Sequence, residues 1–354
     1  MTRAIVVGLA SDHAWTMAEG LHLAGAPVSA VVDADAALRA KAGETFGEIA
    51  AYASLDEVPD GEMFDIALVT TDNAAKAEAI GWAVRRGSAV YADKPLSTSG
   101  AGADAALAAI GSATVPVMIA FHTVFDGVHD EAKQILQAGG IGQVHFVRGI
   151  AGHGGLKEAG VSSEFTEWLV DPERGGGGTF IDQGVYLLNT MMDQLGTPVV
   201  EVTGVAVNLG LREYIPAGVE DVSAAILRFE GGAVGVIDTK WMQIGRSPLR
   251  LAYHGTEGTL TDFGGHWILQ TRVDGFAPPG AWRPEGEEAG LRTYRRDTPR
   301  SAGYAAEAAH LVRAAQEGAA LHPAVSAAAA ARVQHIVDAF YASVRAGAPI
   351  AVAG

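Results

Sequence analysis

Residues 4–33, AIVVGLASDHAWTMAEGLHLAGAPVSAVVD, carry the pattern that decides the fold. The first four residues form a β-rich apolar run that ends at Gly8, and Trp15–Leu23 follows as a helix-compatible stretch. A second apolar run, Val28–Val32, is closed by Asp33. Strand, glycine, helix, strand and acid is the order of a dinucleotide-binding βαβ unit, so these residues predict a Rossmann-like domain.

The acid that follows the second strand indicates which dinucleotide is bound. A carboxylate at Asp33 would accept hydrogen bonds from the adenosine ribose hydroxyls and repel a 2′-phosphate. The sequence therefore favours NAD over NADP.

The glycine loop departs from the usual G-x-G-x-x-G signature. Only Gly8 is in place, because Ala10 and His13 stand at the second and third glycine positions. Asp12 is a candidate helix N-cap, although its charge would lie near a bound phosphate. Gly8, Ala10, Asp12, His13 and Asp33 are the candidate cofactor-binding residues of this unit.

Further strands and helices alternate over the next hundred residues. Phe64–Thr70 is predicted as a strand, Ala74–Arg86 as a helix and Ser88–Ala92 as a strand, and one more helix and strand lead to Phe121. Such alternation predicts a parallel, doubly wound sheet that binds its ligand at the carboxyl ends of the strands.

Two polar clusters fall at those carboxyl ends. Thr70, Thr71 and Asn73 follow one strand, and Asp93 and Lys94 follow the next. Because Lys94 precedes a proline, its backbone is held extended or turned, which would fix the direction of the ammonium group. We expect all five residues to lie near the cofactor.

The stretch GGGGTFIDQGVY, Gly175–Tyr186, has a second chemical signature. Apolar residues resume at helical spacing after the glycines, which predicts a helix beginning near residues 181–182. Asp182 and Tyr186 would then lie on one face, and a carboxylate with a phenol suits proton transfer at a small substrate. The alternative is a glycine-rich turn with an N-terminal aspartate.

Composition narrows the classes of function. The chain has 354 residues, 49% hydrophobic and 19% charged, which suits two globular domains. A net charge of −16 argues against nucleic acid or an anionic membrane as a partner. No apolar run has the length of a membrane helix, no signal peptide is expected before the first strand, and cysteine is absent. We expect a cytoplasmic protein.

Together, these motifs resemble the glucose–fructose oxidoreductase / inositol dehydrogenase / MocA (Gfo/Idh/MocA) family over essentially the whole chain. Ala92–Pro95 resembles the family's Glu-Lys-Pro motif with Asp for Glu, and Thr70–Asn73 resembles its Thr-Pro-Asn turn. The Gly176–Gly178 run, followed by Asp182 and Tyr186, resembles its Gly-Gly-Gly…Asp-x-Gly-x-His pattern.

The resemblance implies an NAD(P)-binding Rossmann domain over residues 1–121 and a substrate-binding and oligomerisation domain over residues 122–354. The second domain is expected to be α+β, with a large, mostly antiparallel sheet whose back face often mediates oligomers. The β-rich runs Val199–Leu209, Val222–Phe229 and Ala233–Thr239 agree with such a sheet. A homodimer or homotetramer is therefore expected.

The resemblance also implies roles for three residues. Lys94 matches the family's catalytic lysine, which contacts the substrate hydroxyl and the nicotinamide, and Asp182 matches the carboxylate that orients the substrate. Tyr186 stands where many members have a proton-transferring histidine. The alternative for Tyr186 is a half-buried helix residue with a satisfied hydroxyl.

His122, His153 and Trp168 are candidate substrate-binding residues. The position of a family arginine near His122 is occupied by Val124, which suits a neutral polyol better than a carboxylate or phosphate. Each also has a structural alternative: His122 as a strand-end residue, His153 as a loop residue and Trp168 as packing. The dispersed histidines predict no metal site.

The predicted function is NAD-dependent hydride transfer to or from a carbinol or carbonyl carbon of a sugar, inositol or related polyol. Two alternatives remain. One is a non-redox protein of the same fold that senses a nucleotide or sugar. The other uses NAD for transient oxidation that leads to elimination or glycoside cleavage.

Overall fold

The computed structural model describes residues 2–245, 247, 250–298 and 303–353. The described residues form two compact units, each assembled from several segments. The first unit lies within Met1–His122, Leu156–Gly178 and Ala302–Gln334. The second lies within Thr123–Gly155, Thr179–Ser301 and His335–Gly354.

The first unit contains a six-stranded parallel sheet. Its strands are β1 (Ala4–Val7), β2 (Val28–Val32), β3 (Ala50–Tyr52), β4 (Ile66–Val69), β5 (Ala89–Asp93) and β6 (Val117–Ala120). The order β3-β2-β1-β4-β5-β6 is that of a doubly wound Rossmann sheet. The predicted fold of this part is confirmed.

Four helices connect these strands: α1 (Asp12–Leu23), α2 (Ala36–Phe46), α3 (Lys76–Arg85) and α4 (Gly100–Ile110). The sequence pattern missed α2 and β3. Only Leu38 and Ala42 of α2 are buried, and β3 buries none of its residues, so neither element has a clear apolar periodicity.

Two later segments of the chain belong to this unit. They contribute α6 (Ser163–Leu169) and α8 (Gly303–Glu317) to the first unit. The approach of α8 to α1 is close, because a Cβ at Gly20 would lie 2.8 Å from the Tyr304 carbonyl oxygen. The Tyr91 hydroxyl, on β5, donates a buried 2.7 Å hydrogen bond to Glu307 of α8. These contacts belong to the first unit although the segments come from residues beyond 121, and the predicted domain boundary there stays a prediction.

The second unit contains a ten-stranded, mostly antiparallel sheet. Its strands are β7 (Val144–Gly152), β8 (Val199–Val207), β9 (Val222–Phe229), β10 (Val234–Lys240), β11 (Leu251–Gly255), β12 (Gly258–Asp262), β13 (His266–Thr271), β14 (Arg283–Glu288), β15 (Leu291–Asp297) and β16 (Ile350–Ala351). Their order is β14-β15-β13-β12-β11-β7-β10-β9-β8-β16, in which β7 and β10 are parallel. The predicted α+β fold of this part is confirmed.

Helices cover one face of this second sheet. They are α5 (His129–Gln137), α7 (Val185–Leu195) and α9 (Ala327–Ala346), the last of which continues from the first unit. Close packing is visible where Gly149 of β7 faces α7, since a Cβ there would lie 2.6 Å from the Met191 methyl carbon. Within the described ranges, no helix is both long and apolar enough to cross a membrane.

Candidate active site

The turn after β1 requires a glycine. Gly8 has φ of +90°, and a Cβ there would lie 2.6 Å from the Thr71 backbone nitrogen. The Thr70 hydroxyl donates a 2.5 Å hydrogen bond to the Gly8 carbonyl, so the turns after β1 and β4 are packed together. Gly8, Thr70 and Thr71 therefore lie side by side, as the sequence predicts.

The N-cap of helix α1 is not the residue that the sequence suggested. Ser11, not Asp12, is the N-cap, because its side chain accepts a 3.2 Å hydrogen bond from the His13 amide. The Asp12 carboxylate instead accepts a 2.9 Å hydrogen bond from the Ser162 amide. That contact connects Asp12 to the segment before α6. Ala10, in the same turn, is half-buried.

Asp33 is held firmly at the end of β2. One carboxylate oxygen accepts from the Leu9 amide at 2.6 Å and the other from the Asp35 amide at 2.8 Å. Arg39, which sequence reasoning missed, donates to the Asp33 and Ala34 carbonyl oxygens. The retained first glycine and the fixed acid thus fit a dinucleotide, even though the second and third glycines are absent.

Asp93 lies buried at the end of β5, directly before Lys94. Its carboxylate lies 2.9 Å from Nδ1 of His13, the residue that replaces the third glycine. Burial by itself would raise the pKa of Asp93, but His13 and the ammonium groups of Lys76 and Lys94 hold it well below its usual range. Lys94 is also buried, with 4% of its surface exposed.

The turn after β4 is hydrogen-bonded to the glycine run that begins at Gly175. Asn73 donates from its side chain to the Gly175 carbonyl at 2.8 Å and from its backbone to the Arg174 carbonyl at 3.1 Å. Gly176 has φ of +90°, and a Cβ there would lie 2.8 Å from Thr98 Cα. The glycines are thus needed for close backbone packing within the first unit.

A row of rings in the first unit connects several predicted residues. The His13 ring lies 5.3 Å from Phe165 and 5.6 Å from Tyr304. His122 lies 5.4 Å from Tyr304, and the buried Trp168 lies 5.0 Å from Phe165. The structure therefore places His13, His122 and Trp168 in one aromatic cluster, of which Tyr304 and Phe165 were not predicted.

In the second unit, Asp182 lies in a π-helical turn, Phe180–Gly184, rather than in a regular first helical turn. Its Oδ2 atom accepts from the indole N–H of Trp241 at 3.1 Å and from the side-chain amide of Gln183 at 2.8 Å. Both Asp182 and Trp241 are buried. Tyr186 is half-buried in the first turn of α7, which continues from the π-helical turn.

Glu220 fixes the start of the π-helical turn. Its side chain accepts from the Phe180 amide and from the Tyr341 hydroxyl, both at 2.9 Å, and its carbonyl accepts from the Thr179 amide. Sequence reasoning missed both Glu220 and Trp241. Each lies about 40 to 60 residues from Asp182 in the chain, so no local pattern connects them.

His153 lies at the end of β7, beside the segment that carries Trp241. Its backbone amide donates to the Lys240 carbonyl, and its carbonyl accepts from the Gln243 amide. The ring nitrogen Nδ1 lies 3.0 Å from the Gly155 carbonyl oxygen. His153 and Asp182 are therefore both connected to residues 240–243 of the second unit.

Comparison with known proteins finds inositol dehydrogenases among the relatives. The chain is 25% identical over 217 residues to myo-inositol 2-dehydrogenase of Thermotoga maritima, covering 61% of this chain and 62% of that protein. It is 24% identical over 207 residues to scyllo-inositol 2-dehydrogenase (NAD⁺) of Bacillus subtilis, covering 58% and 56%. The matched regions thus span less than two thirds of these relatives.

Solved structures of similar fold cover the whole chain. Levoglucosan dehydrogenase in complex with NADH and L-sorbose superimposes with a TM-score of 0.83 at 19% identity, covering 100% of this chain and 99% of that one. An NAD-binding oxidoreductase from Klebsiella pneumoniae has a TM-score of 0.80 at 20% identity, covering 100% and 99%. At identities of 19% and 20%, these similarities show the fold alone.

Two family matches cover most of the sequence. Residues 2–121 match the oxidoreductase family with an NAD-binding Rossmann fold, and residues 129–261 match the GFO/IDH/MocA C-terminal domain. Both predictions, the family and the NAD-binding fold, are confirmed. The chain belongs to the Gfo/Idh/MocA family of oxidoreductases, with an NAD-binding Rossmann fold in its N-terminal part.

Proposed function

We propose that this protein is an NAD-dependent oxidoreductase that transfers a hydride between the nicotinamide and a carbinol or carbonyl carbon of a sugar, inositol or related polyol. The observation that carries the proposal is a buried lysine, Lys94, at the carboxyl end of β5 in a chain of this family. The inositol dehydrogenases among the relatives support a polyol as the substrate class.

In this proposal, the first unit binds the cofactor. Asp33, whose carboxylate is fixed by two backbone amides, would accept the adenosine ribose hydroxyls. The Gly8–His13 turn at the start of α1 would receive the diphosphate, and Thr70, Thr71, Asn73 and Asp93 would line the same sheet edge. NAD supplies the hydride-carrying nicotinamide when it is bound.

Lys94 and Tyr186 are the proposed general acid and base. In the direction of oxidation, one of them takes the proton of the substrate hydroxyl, and in reduction the same group returns it. Asp182 would orient the substrate hydroxyl, because the Trp241 indole and the Gln183 side-chain amide both donate to its Oδ2 atom and fix the position of that oxygen. His122, His153 and Trp168 would complete the polyol contacts.

The direct test has two parts. Fluorescence titration with NADH and NADPH should show binding of NADH, with weaker binding of NADPH because Asp33 repels a 2′-phosphate. A screen of inositols, aldoses and sugar alcohols with NAD⁺ should then give an absorbance rise at 340 nm. If neither NADH nor NADPH bound, both NAD-dependent functions, net hydride transfer and transient oxidation, would be wrong.

The other functions make different predictions in the same assays. A sensor would bind NADH or a sugar but give no turnover with any polyol. Transient oxidation that leads to elimination or glycoside cleavage would release a cleaved sugar with no net NADH. Product analysis by mass spectrometry separates that outcome from simple dehydrogenation.

The expected assembly is a homodimer or homotetramer, in the cytoplasm. The outer face of the second sheet supports self-association. Val205, Ile226 and Val234, on three neighbouring strands, are exposed by 62%, 55% and 37%. These three residues, which we call the outer patch, share their face of the sheet with the Arg228–Glu201 ion pair. Exposed apolar side chains beside polar ones are typical of a protein–protein interface.

A further inference from the structure

The first unit contains a completely buried lysine. Lys76, in the first turn of α3, has 0% of its surface exposed. Its ammonium group donates two 2.7 Å hydrogen bonds, one to the Asn73 side-chain oxygen and one to the Pro95 carbonyl. Lysines are rarely buried completely, so this one calls for a physical explanation.

Burial makes the ammonium form of Lys76 costly. Burial lowers the pKa of Lys76 to about 7; Asp93 and Asp72 oppose that shift, and Lys94 adds to it. The same ammonium group is the donor for two buried acceptors, the Asn73 side-chain oxygen and the Pro95 carbonyl, which an apolar residue would leave unsatisfied. The hydrogen bonds of Lys76, rather than apolar packing, are therefore the feature that distinguishes this side chain.

The two acceptors of Lys76 belong to segments of the proposed site. Pro95 is the residue directly after Lys94, so its carbonyl belongs to the backbone that carries the Lys94 side chain. Asn73 in turn holds the Gly175 carbonyl of the glycine run. One ammonium group therefore connects the turn after β4 with the backbone after β5, and through Asn73 with the glycine run.

We propose that Lys76 is a positioning residue that fixes the backbone of Lys94 and Pro95 by its hydrogen bonds to Pro95 and Asn73. This inference rests on the proposed function, in which Lys94 acts on the substrate. The fixed backbone limits the directions in which the Lys94 ammonium can point, and catalytic rates are sensitive to displacements of about 1 Å.

The first experiment measures the backbone itself. Lys76→Met keeps the length and apolar volume of the side chain but removes the donors, and amide hydrogen exchange with mass spectrometry reports on peptides that contain residues 93–96. We expect exchange there to become about fivefold faster, the change for losing one hydrogen bond. The control is Lys41→Met, an exposed lysine over the Trp15 ring. Equal exchange at residues 93–96 in both variants would overturn the proposal.

The second experiment separates positioning from a merely structural role. With the best polyol from the screen, Lys76→Met should lower kcat roughly 10- to 100-fold, while the NADH dissociation constant changes less than about threefold. Lys76→Gln, which keeps an N–H donor without the charge, should recover part of kcat. An unchanged kcat in folded Lys76→Met, or no recovery with Gln, would contradict the proposal.

The variant Lys94→Ala distinguishes a failure of the positioning role of Lys76 from a failure of the proposed function. If Lys94→Ala were inactive but Lys76→Met fully active, the positioning role would be wrong and the proposed function would stand. If Lys94→Ala kept normal turnover, Lys94 would have no part in proton transfer and the positioning role of Lys76 would be wrong with it. The proposed function itself would be wrong if neither NADH nor NADPH bound. Should Lys76→Met fail to fold, the exchange and kinetic measurements on Lys76→Gln decide, with a smaller change expected than for Met.

Discussion

Lys94 and Tyr186 are the residues to which the proposed function assigns proton transfer. Lys94→Ala removes an ammonium group and Tyr186→Phe removes a single hydroxyl, so neither change enlarges a side chain. We expect each to lower kcat by roughly 10²- to 10⁴-fold, the usual contribution of a general acid or base. NADH affinity, measured by fluorescence titration, should largely survive. Near-normal turnover in either variant would remove that residue from the mechanism.

In the proposed mechanism, Trp241 would act on the substrate only through Asp182. Its buried indole N–H donates to Asp182, and Trp241→Phe removes that donor while keeping an aromatic ring in place. A hydrogen bond to a charged group contributes about 1.5–3 kcal/mol, so kcat/KM for the polyol should fall roughly tenfold or more. NADH affinity should not change. Trp15→Phe, at a tryptophan stacked on Phe46 near α2, is the matched control.

At the scale of elements, the turn between β1 and α1 shows why its glycine is needed. Gly8→Ala places a Cβ against the Thr71 backbone at a positive φ, so it should destabilise the protein by roughly 2 kcal/mol or more. Gly43→Ala, in the interior of α2 where a Cβ meets no atom within 4 Å, should instead stabilise it by about 0.5–1 kcal/mol. Urea denaturation of both variants measures the difference. Equal effects would contradict the role assigned to the turn.

The same elements show how far sequence reasoning extends. Short β-rich apolar runs, closed by a glycine or an acidic residue, predicted β1, β2 and β9 with their observed bounds, because burial of a sheet leaves a local pattern. The π-helical turn at Phe180–Gly184 could not be predicted in this way. Phe180 stacks on Phe340, 3.7 Å away, and such a contact between distant residues has no local signature.

Sequence motifs predicted the candidate site better than its supporting residues. Lys94 and Asp182 stand in recognisable patterns, whereas Lys76 and Trp241 act through partners that only the folded chain brings near. Lys76 resembles any surface lysine when it is read from the sequence, because its burial follows from the packing of α3 on the sheet. Supporting residues of this kind can be identified only in the folded structure.

Helix α8 adds a pH-dependent contribution to stability. Burial raises the pKa of Glu307 to about 8, the charge of Asp93 adds to the shift, and the hydrogen bond from Tyr91 opposes it. A carboxyl with a raised pKa in the folded state contributes stability that is present below its ordinary pKa near 4.5 and is lost as pH rises through about 8.

Glu307→Gln tests this contribution, because glutamine mimics the protonated carboxyl at every pH. The variant should lose less stability than the wild type between pH 5 and about pH 8, as measured by urea denaturation. Glu19→Gln, at an exposed position of α1, is the control for removing a carboxylate. Parallel losses of stability in wild type and Glu307→Gln would show that Glu307 does not titrate in this range.

At the scale of the whole molecule, the second sheet has one face covered by helices and one face open. Strands β8, β9 and β10 are neighbours, and their outward residues include Val205, Ile226 and Val234 of the outer patch. Within the described residues, the outermost strand β14 is exposed and charged, which discourages edge-to-edge pairing. Face-to-face association through the outer patch is therefore the favoured route to an oligomer.

Ile226→Glu tests that route at the centre of the outer patch. A charge on a face that is buried in an oligomer but exposed in the monomer should leave folding intact and dissociate the assembly, because an unpaired buried carboxylate is costly. Size-exclusion chromatography with light scattering should give a mass near 36.5 kDa for the variant and a multiple of it for the wild type. Ile244→Glu is the matched control, since Ile244 is 96% exposed and lies outside the sheet. A wild-type monomer, or an unchanged oligomer in Ile226→Glu, would show that the outer patch does not mediate assembly.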